Sequence, residues 1–172
     1  MGMAARTPQV ENEIVALLPR LRRFARSLAR DAADADDLVQ ITLERALARL
    51  EQWSEGTRLD SWMYRIMKNA WIDETRFRQR RDTRFAPEEA GLQVGHEDPG
   101  FEKRVRAMSV EQAMQILPDE QRLAVGLVLV EGLSYKEAAA VMEVPMGTLT
   151  SRLARGRAAL EARLNPQREA QS

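Results

Sequence analysis

The sequence contains no cysteine and a single histidine, His96. Without thiols there is no disulfide framework and no thiolate metal site, which fits a reducing compartment, and one imidazole leaves little scope for a metal cluster. An excess of either charge is also missing: 26 Lys and Arg stand against 26 Asp and Glu, for a formal net charge of +0. That balance argues against a purely electrostatic nucleic-acid binder, so any contact with nucleic acid has to come from local patches. No stretch is long and uncharged enough to span a bilayer, and the start, Met-Gly-Met-Ala-Ala-Arg, lacks an apolar signal core. A cytoplasmic protein with no direct membrane contact is expected. No nucleophile–base pair, phosphate loop or metal-ligand set is found, so neither an enzyme nor a metal or cofactor is expected. At 172 residues, 44% hydrophobic and 30% charged, the chain suits one domain or two small ones.

What is present is organised around Leu133 to Leu164, which reads as a helix-turn-helix. Ser134 is a good N-cap with Glu137 three residues on, so each side chain can satisfy an orphan backbone donor of the other's turn. Small Ala138, Ala139 and Ala140 follow, and Glu143-Val144-Pro145 ends the helix because the residue before a proline is pushed out of the α region. A second helix starts near Met146, with Leu149, Leu153, Gly156, Leu160 and Leu164 on one buried stripe. Its other side carries Thr148, Ser151, Arg152 and Arg155, flanked by Thr150 and Arg157. Hydroxyls at the leading end and arginines one turn on can meet phosphates or base edges in the major groove; a charged face that is merely solvated is the bland alternative.

In the first half, apolar residues from Val10 to Leu28 follow helical spacing, with Pro19 expected to split the run into two helices. The arginines Arg20, Arg22, Arg23, Arg26 and Arg30 read as a solvated face. From Asp31 an acidic start leads an amphipathic helix to about Leu50, with Asp34 as the expected cap and Asp36 and Asp37 favouring the positive helix end. Leu38, Val39, Gln40 and Leu43 offer a mixed patch to a partner helix. Aromatic residues make up only 5% of the chain, yet Trp53, Trp62 and Trp71 fall close together. After a loop at Ser54–Arg58, a helix from Leu59 to Arg80 turns Leu59, Trp62, Met63, Ile66 and Ala70 inward. Its other faces carry Tyr64, Arg65, Lys68, Asn69, Trp71, Arg76 and Arg80, rings mixed with cations and an amide, which can stack on unpaired bases and hold their backbone. Trp62 reads as core, while Trp71 suits either role.

Residues 82–100, with Pro87, Gly91, Gly95, Pro99 and Gly100, read as a linker between helical domains at 9–81 and 101–165. A helix is expected from Phe101 to Leu117, then an apolar one across Leu123–Val130 that Gly132 closes.

Together these stretches resemble the extracytoplasmic-function (ECF) sigma factors of the sigma-70 family, small two-domain bacterial transcription initiation factors. The resemblance runs from about residue 10 to 164, and the Leu18–Leu28 stretch is similar to the alphaproteobacterial general-stress members. It implies an all-α fold of two small helical domains, region 2 and region 4, joined by a flexible linker. The stretch from Asp34 to Leu43, with Asp36, Asp37, Leu38, Val39, Gln40 and Leu43, resembles the segment that docks on core RNA polymerase. Gly56–Ala70 resembles the segment that opens and reads the −10 promoter element, which implies DNA contacts by Arg58, Tyr64, Arg65, Lys68, Asn69, Trp71 and Arg76. It also implies that the loop from Glu55 to Asp60, with Asn69, pockets a flipped base, for which the extruded base's contacts offset a few kcal/mol of unstacking. Leu117-Pro-Asp-Glu-Gln-Arg, Gly132–Ala139 and Gly147–Arg157 resemble the −35-binding domain, with Thr148, Thr150, Ser151, Arg152 and Arg155 toward promoter DNA. The sequence departs from the resemblance at Thr150, where many relatives are expected to carry a basic residue. The resemblance further implies an anti-sigma factor as partner. Two other readings fit the fold: a sigma-like decoy that binds an anti-sigma factor without touching DNA, and an ordinary helix-turn-helix regulator that binds closed duplex without polymerase. Retention of Lys68, Asn69, Arg152 and Arg155 argues against the decoy.

Overall fold

The structure, a computed structural model, describes residues 3–85 and 109–166. Among the described residues all regular structure is helical. The elements are α1 (Met3–Leu28), α2 (Ala32–Ala48), a 3-10 turn (Leu50–Gln52), α3 (Leu59–Phe85), α4 (Val110–Ile116), α5 (Asp119–Val125), a π-helical turn (Gly126–Val130), α6 (Tyr135–Met142) and α7 (Met146–Leu164). The all-α expectation is therefore met.

Helix α1 is continuous through Pro8 and Pro19, contrary to the expected break at Pro19. Both Pro19 and Val15, whose carbonyl loses its donor at that proline, lie on the exposed face, where water can take the place of the missing N–H. On the opposite face Ile14, Leu21, Phe24 and Leu28 are buried and hold the helix to its course. Helix α2 is capped by Asp31, not Asp34: the Asp31 carboxylate accepts the Asp34 N–H at 2.8 Å. Asp34 instead pairs with Arg78 of α3 at 2.9 Å, tying the two helices together. Helix α3 follows a loop in which Gly56 has φ +91°, a conformation that side chains with a Cβ rarely adopt.

In the second half, Ser109 and Gln112 form a reciprocal capping box on α4. The expected start of that helix at Phe101 lies outside the described residues, as does the expected linker 82–100 from residue 86 on; residues 82–85 continue α3 to Phe85, past the expected helix end at Arg80. The apolar run expected as one helix is α5 followed by the wider π turn, closed by Gly132 at φ +72°. The capping box expected at Ser134 and Glu137 is present in both halves, at 3.2 and 3.1 Å. Glu143 ends α6 in the left-handed region, φ +58°. Leu149, Leu153, Gly156 and Leu160 form the buried stripe of α7, where a β-carbon on Gly156 would lie 2.7 Å from Val125 Cγ2. Glycine is what lets α7 cross this close to α5.

The two halves pack against each other, and their buried residues form one continuous core. Phe24 of α1 meets Tyr64 of α3 edge to face, centroids 5.2 Å apart. A β-carbon on Gly126 would come within 3.0 Å of the same Phe24 ring, so this glycine lets the π turn lie against α1. No described helix is long and apolar enough to cross a membrane.

Candidate functional site

The outer stripe of α2 carries Asp36, Asp37 and Gln40, all exposed, with Leu43 half-buried. Leu38 and Val39 do not belong to this surface. Helical periodicity puts them with Ala35, Thr42 and Ala46 on the face that enters the core, where Leu38 is 1% exposed. Leu47 continues the outer stripe one turn beyond Leu43 and is 52% exposed, an apolar residue that the four-residue spacing alone would have found.

On α3, Arg65, Asn69 and Arg76 are exposed as expected. Tyr64, Lys68 and Trp71 are not: Tyr64 is 0% and Lys68 4% exposed. The reason is the second half of the chain. The Tyr64 hydroxyl donates to Glu131 at 2.8 Å, and Lys68 Nζ pairs with Glu143 at 3.2 Å. The Arg122 guanidinium lies over the Trp71 ring, 5.6 Å from its centroid. Arg58 pairs with Glu137, and Arg65 donates to the Ala140 carbonyl at 2.9 Å. Burial, then the hydrogen bond and charge of Glu131, push the Tyr64 phenol well above its ordinary value.

Two arginines assigned to a solvated face also take part. Arg23 binds the enclosed Glu131 carboxylate through Nε and Nη2, both at 2.9 Å, and Arg20 reaches Asp60 at 3.2 Å. The signal in the sequence was Glu131 itself, an acid standing directly after the apolar run to Val130.

Asp60 anchors the start of α3. Burial would raise its carboxyl, but hydrogen bonds from Arg58 and the Ser61 N–H, with the charges of Arg58 and Arg20, more than offset that and hold it below the ordinary 3.8. A depressed carboxylate stabilises the fold above its unfolded value and loses that contribution as pH falls through the folded one. Wild-type protein should therefore lose stability to urea below pH 3.8 more steeply than Asp60→Asn; parallel curves would show that Asp60 contributes nothing.

The loop before α3 and the start of α1 enclose a cleft of about 240 Å³ lined by Val10, Trp53, Gly56, Thr57 and Leu59 among others. The Trp53 indole N–H is buried with no acceptor in reach. Asn69 does not line this cleft, being ten residues along α3 from Leu59, about 15 Å.

On α7, Ser151 and Arg155 are exposed opposite the buried stripe, with Thr148, Thr150 and Arg152 half-buried. The Thr150 hydroxyl donates to the Gly147 carbonyl at 3.0 Å, and Arg152 pairs with Glu120 at 3.3 Å. Arg155 is the more exposed of the two cations.

Residues 14–68 match the family model described as the Sigma2 domain of PhyR, and residues 107–160 match Sigma-70, region 4. Over 158 residues the chain is 36% identical to the ECF RNA polymerase sigma factor EcfG of Rhodopseudomonas palustris, covering 92% of this chain and 86% of that one. The fold resembles the sigma factor RpoE of Bartonella quintana, solved in complex with the anti-sigma factor NepR. The TM-score is 0.70 with 29% identity, covering 92% of this chain and 98% of that one. It also resembles the anti-anti-sigma factor PhyR of the same organism, solved with NepR, at TM-score 0.60 and 18% identity over 88% of this chain and 49% of that one, a likeness of fold alone. With the motifs in order along a helical chain that ends in a helix-turn-helix, the protein belongs to the ECF RNA polymerase sigma factors.

Proposed function

We propose that the chain docks on core RNA polymerase through the outer stripe of α2, Asp36, Asp37, Gln40, Leu43 and Leu47. The α3 face and the loop before it open and read the −10 element, and α7 reads the −35 element. Residues 9–81 and 101–165 act as the two working units. The observation that carries this reading is α7: Ser151 and Arg155 stand exposed at the leading half of a helix whose opposite face is buried, directly after a capped helix and a tight turn. The cleft between α1 and the loop before α3, lined by Trp53, Gly56 and Thr57, suits capture of a flipped base. The site of action is the cytoplasm, and the relative bound to NepR supports an anti-sigma factor as the controlling partner.

One observation favours the decoy: residues 14–68 match a family named for PhyR, itself described as an anti-anti-sigma factor. Run-off transcription with purified core polymerase on a pool of genomic promoter fragments separates the readings. Promoter-specific transcripts are expected. Core binding without transcription would establish the decoy, and no core binding would leave a duplex-binding regulator. On the promoters recovered, Arg155→Ala should weaken duplex −35 binding and flatten its salt dependence by about one phosphate contact, a slope change of roughly 0.9. An unchanged slope and unchanged promoter choice would remove Arg155 from the reading face.

A further inference from the structure

Arg152 precedes Arg155 by three residues, which sets it about 60° around α7 from that exposed cation, on the margin between the reading face and the buried stripe. From there a long side chain can swing outward to DNA or lie back along the neighbouring helix. It lies back: Arg152 Nη2 meets the Glu120 carboxylate of α5 at 3.3 Å, and the arginine side chain is left 24% exposed. Among the described residues no group takes the donors of Nε or Nη1. We infer that Glu120 is a positioning residue for −35 recognition: it holds one edge of the Arg152 guanidinium, aims the rest at a base in the major groove, and keeps the group from clamping whichever phosphate lies nearest. The inference rests on the reading of α7 as the −35 helix.

Direction is what separates a base contact from a phosphate contact. Arginine reads guanine by offering two N–H groups in one plane to O6 and N7, whereas a phosphate accepts from many approaches and carries no sequence. A guanidinium tethered at one edge suits the first task, and a loose one falls to the second. Glu120 can tether because its helix is held firmly. Leu123 and Val125 are buried, Arg122 donates to four carbonyls, and the Gln121 carbonyl would lie 3.3 Å from a β-carbon on Gly156, one turn of α7 beyond Arg152. The first turn of α5 is thereby pinned to α7 beside the place where Glu120 meets Arg152. The stability of α5 does not call for this acid. Asp119 already stands in the first turn, where a negative charge suits the helix dipole, and Glu120 keeps 67% of its side chain in water. A carboxylate that wet contributes little to folding, and at the rim of a DNA-binding face it opposes phosphates, so its place there is explained by binding.

Glu120→Gln keeps the shape of the side chain and removes its charge. The full chain, bound to core polymerase, would be titrated against two fluorescent duplexes over a range of salt: the −35 segment of a promoter recovered by run-off transcription, and a scrambled copy. The expected result for the variant is about threefold tighter binding of the scrambled duplex, a salt slope steeper by roughly 0.9 from one added phosphate contact, and about fivefold weaker discrimination. In an Arg152→Ala background the same change should do nothing, since Glu120 acts through that arginine. A gain that persists without Arg152 would mean that Glu120 only repels phosphates, and equal losses on both duplexes would make it structural; either result overturns the inference. Wild-type slope and discrimination in Glu120→Gln, beside lost discrimination in Arg155→Ala, would also overturn it while the −35 reading stands. A wild-type protein that cannot tell the two duplexes apart would overturn the −35 reading and the inference with it.

Discussion

Arg122→Ala is expected to lower the free energy of unfolding by about 4 kcal/mol, since three buried carbonyls and one half-buried one lose a charged donor at once. The Arg122 guanidinium donates to Met114 O at 2.8 Å, to Leu28 O at 3.1 Å, and to Gln115 O and Leu117 O at 2.9 Å each. Leu28 belongs to α1 and the other three to α4 and the turn after it, so one side chain joins the two halves. Burial pushes the guanidinium's pKa below its ordinary value, yet its hydrogen bonds are to neutral carbonyls and it stacks on Trp71, which suits a planar, weakly hydrated cation. Arg122→Lys should therefore restore only part of the loss, because a compact ammonium cannot span four acceptors in a plane. Urea unfolding would measure both. A loss under about 1 kcal/mol for the alanine variant would mean that water replaces the guanidinium without strain.

Gly156→Val is expected to reduce duplex −35 binding at least tenfold while leaving attachment to core polymerase through α2 in place. Even a single β-carbon at this position would lie 2.7 Å from Val125 Cγ2 and 3.3 Å from the Gln121 carbonyl, so α7 must move away from α5. Overpacking of this kind costs roughly 1–3 kcal/mol, and the shift carries Thr148, Ser151 and Arg155 out of register with one another's targets. Pairing Gly156→Ala with Val125→Ala should recover more binding than independent effects allow, because the second change removes the atom that the first one strikes. Strict additivity in that cycle, measured by anisotropy on a −35 duplex, would place the cause elsewhere.

The helix-turn-helix was legible because its signals are local. Ser134 and Glu137 cap within one turn, Pro145 forbids continuation, and the leucines of α7 repeat at helical spacing, so the capping box and buried stripe follow from neighbours in sequence. Legibility failed where distant residues intervened. At Pro19 the expected break did not form, since packing of Ile14, Leu21 and Phe24 outweighs one lost hydrogen bond on a wet face. Leu38 is a different case: the motif suggested a partner surface, and helical periodicity alone turns that residue inward.

The amino-acid sequence by itself determined the helical class, the order of the elements, the family, and the faces of α2 and α7 that meet water. Each depends on propensity, capping or periodicity, which act over a few residues. Only the tertiary structure decided what becomes of α3. Tyr64, Lys68 and Trp71 look alike in sequence to the exposed Arg65, Asn69 and Arg76, and their burial is set by Glu131, Glu143 and Arg122, each more than 50 residues away. Charge pairing and desolvation depend on which surfaces meet, and no periodicity within one helix records what will be laid against it.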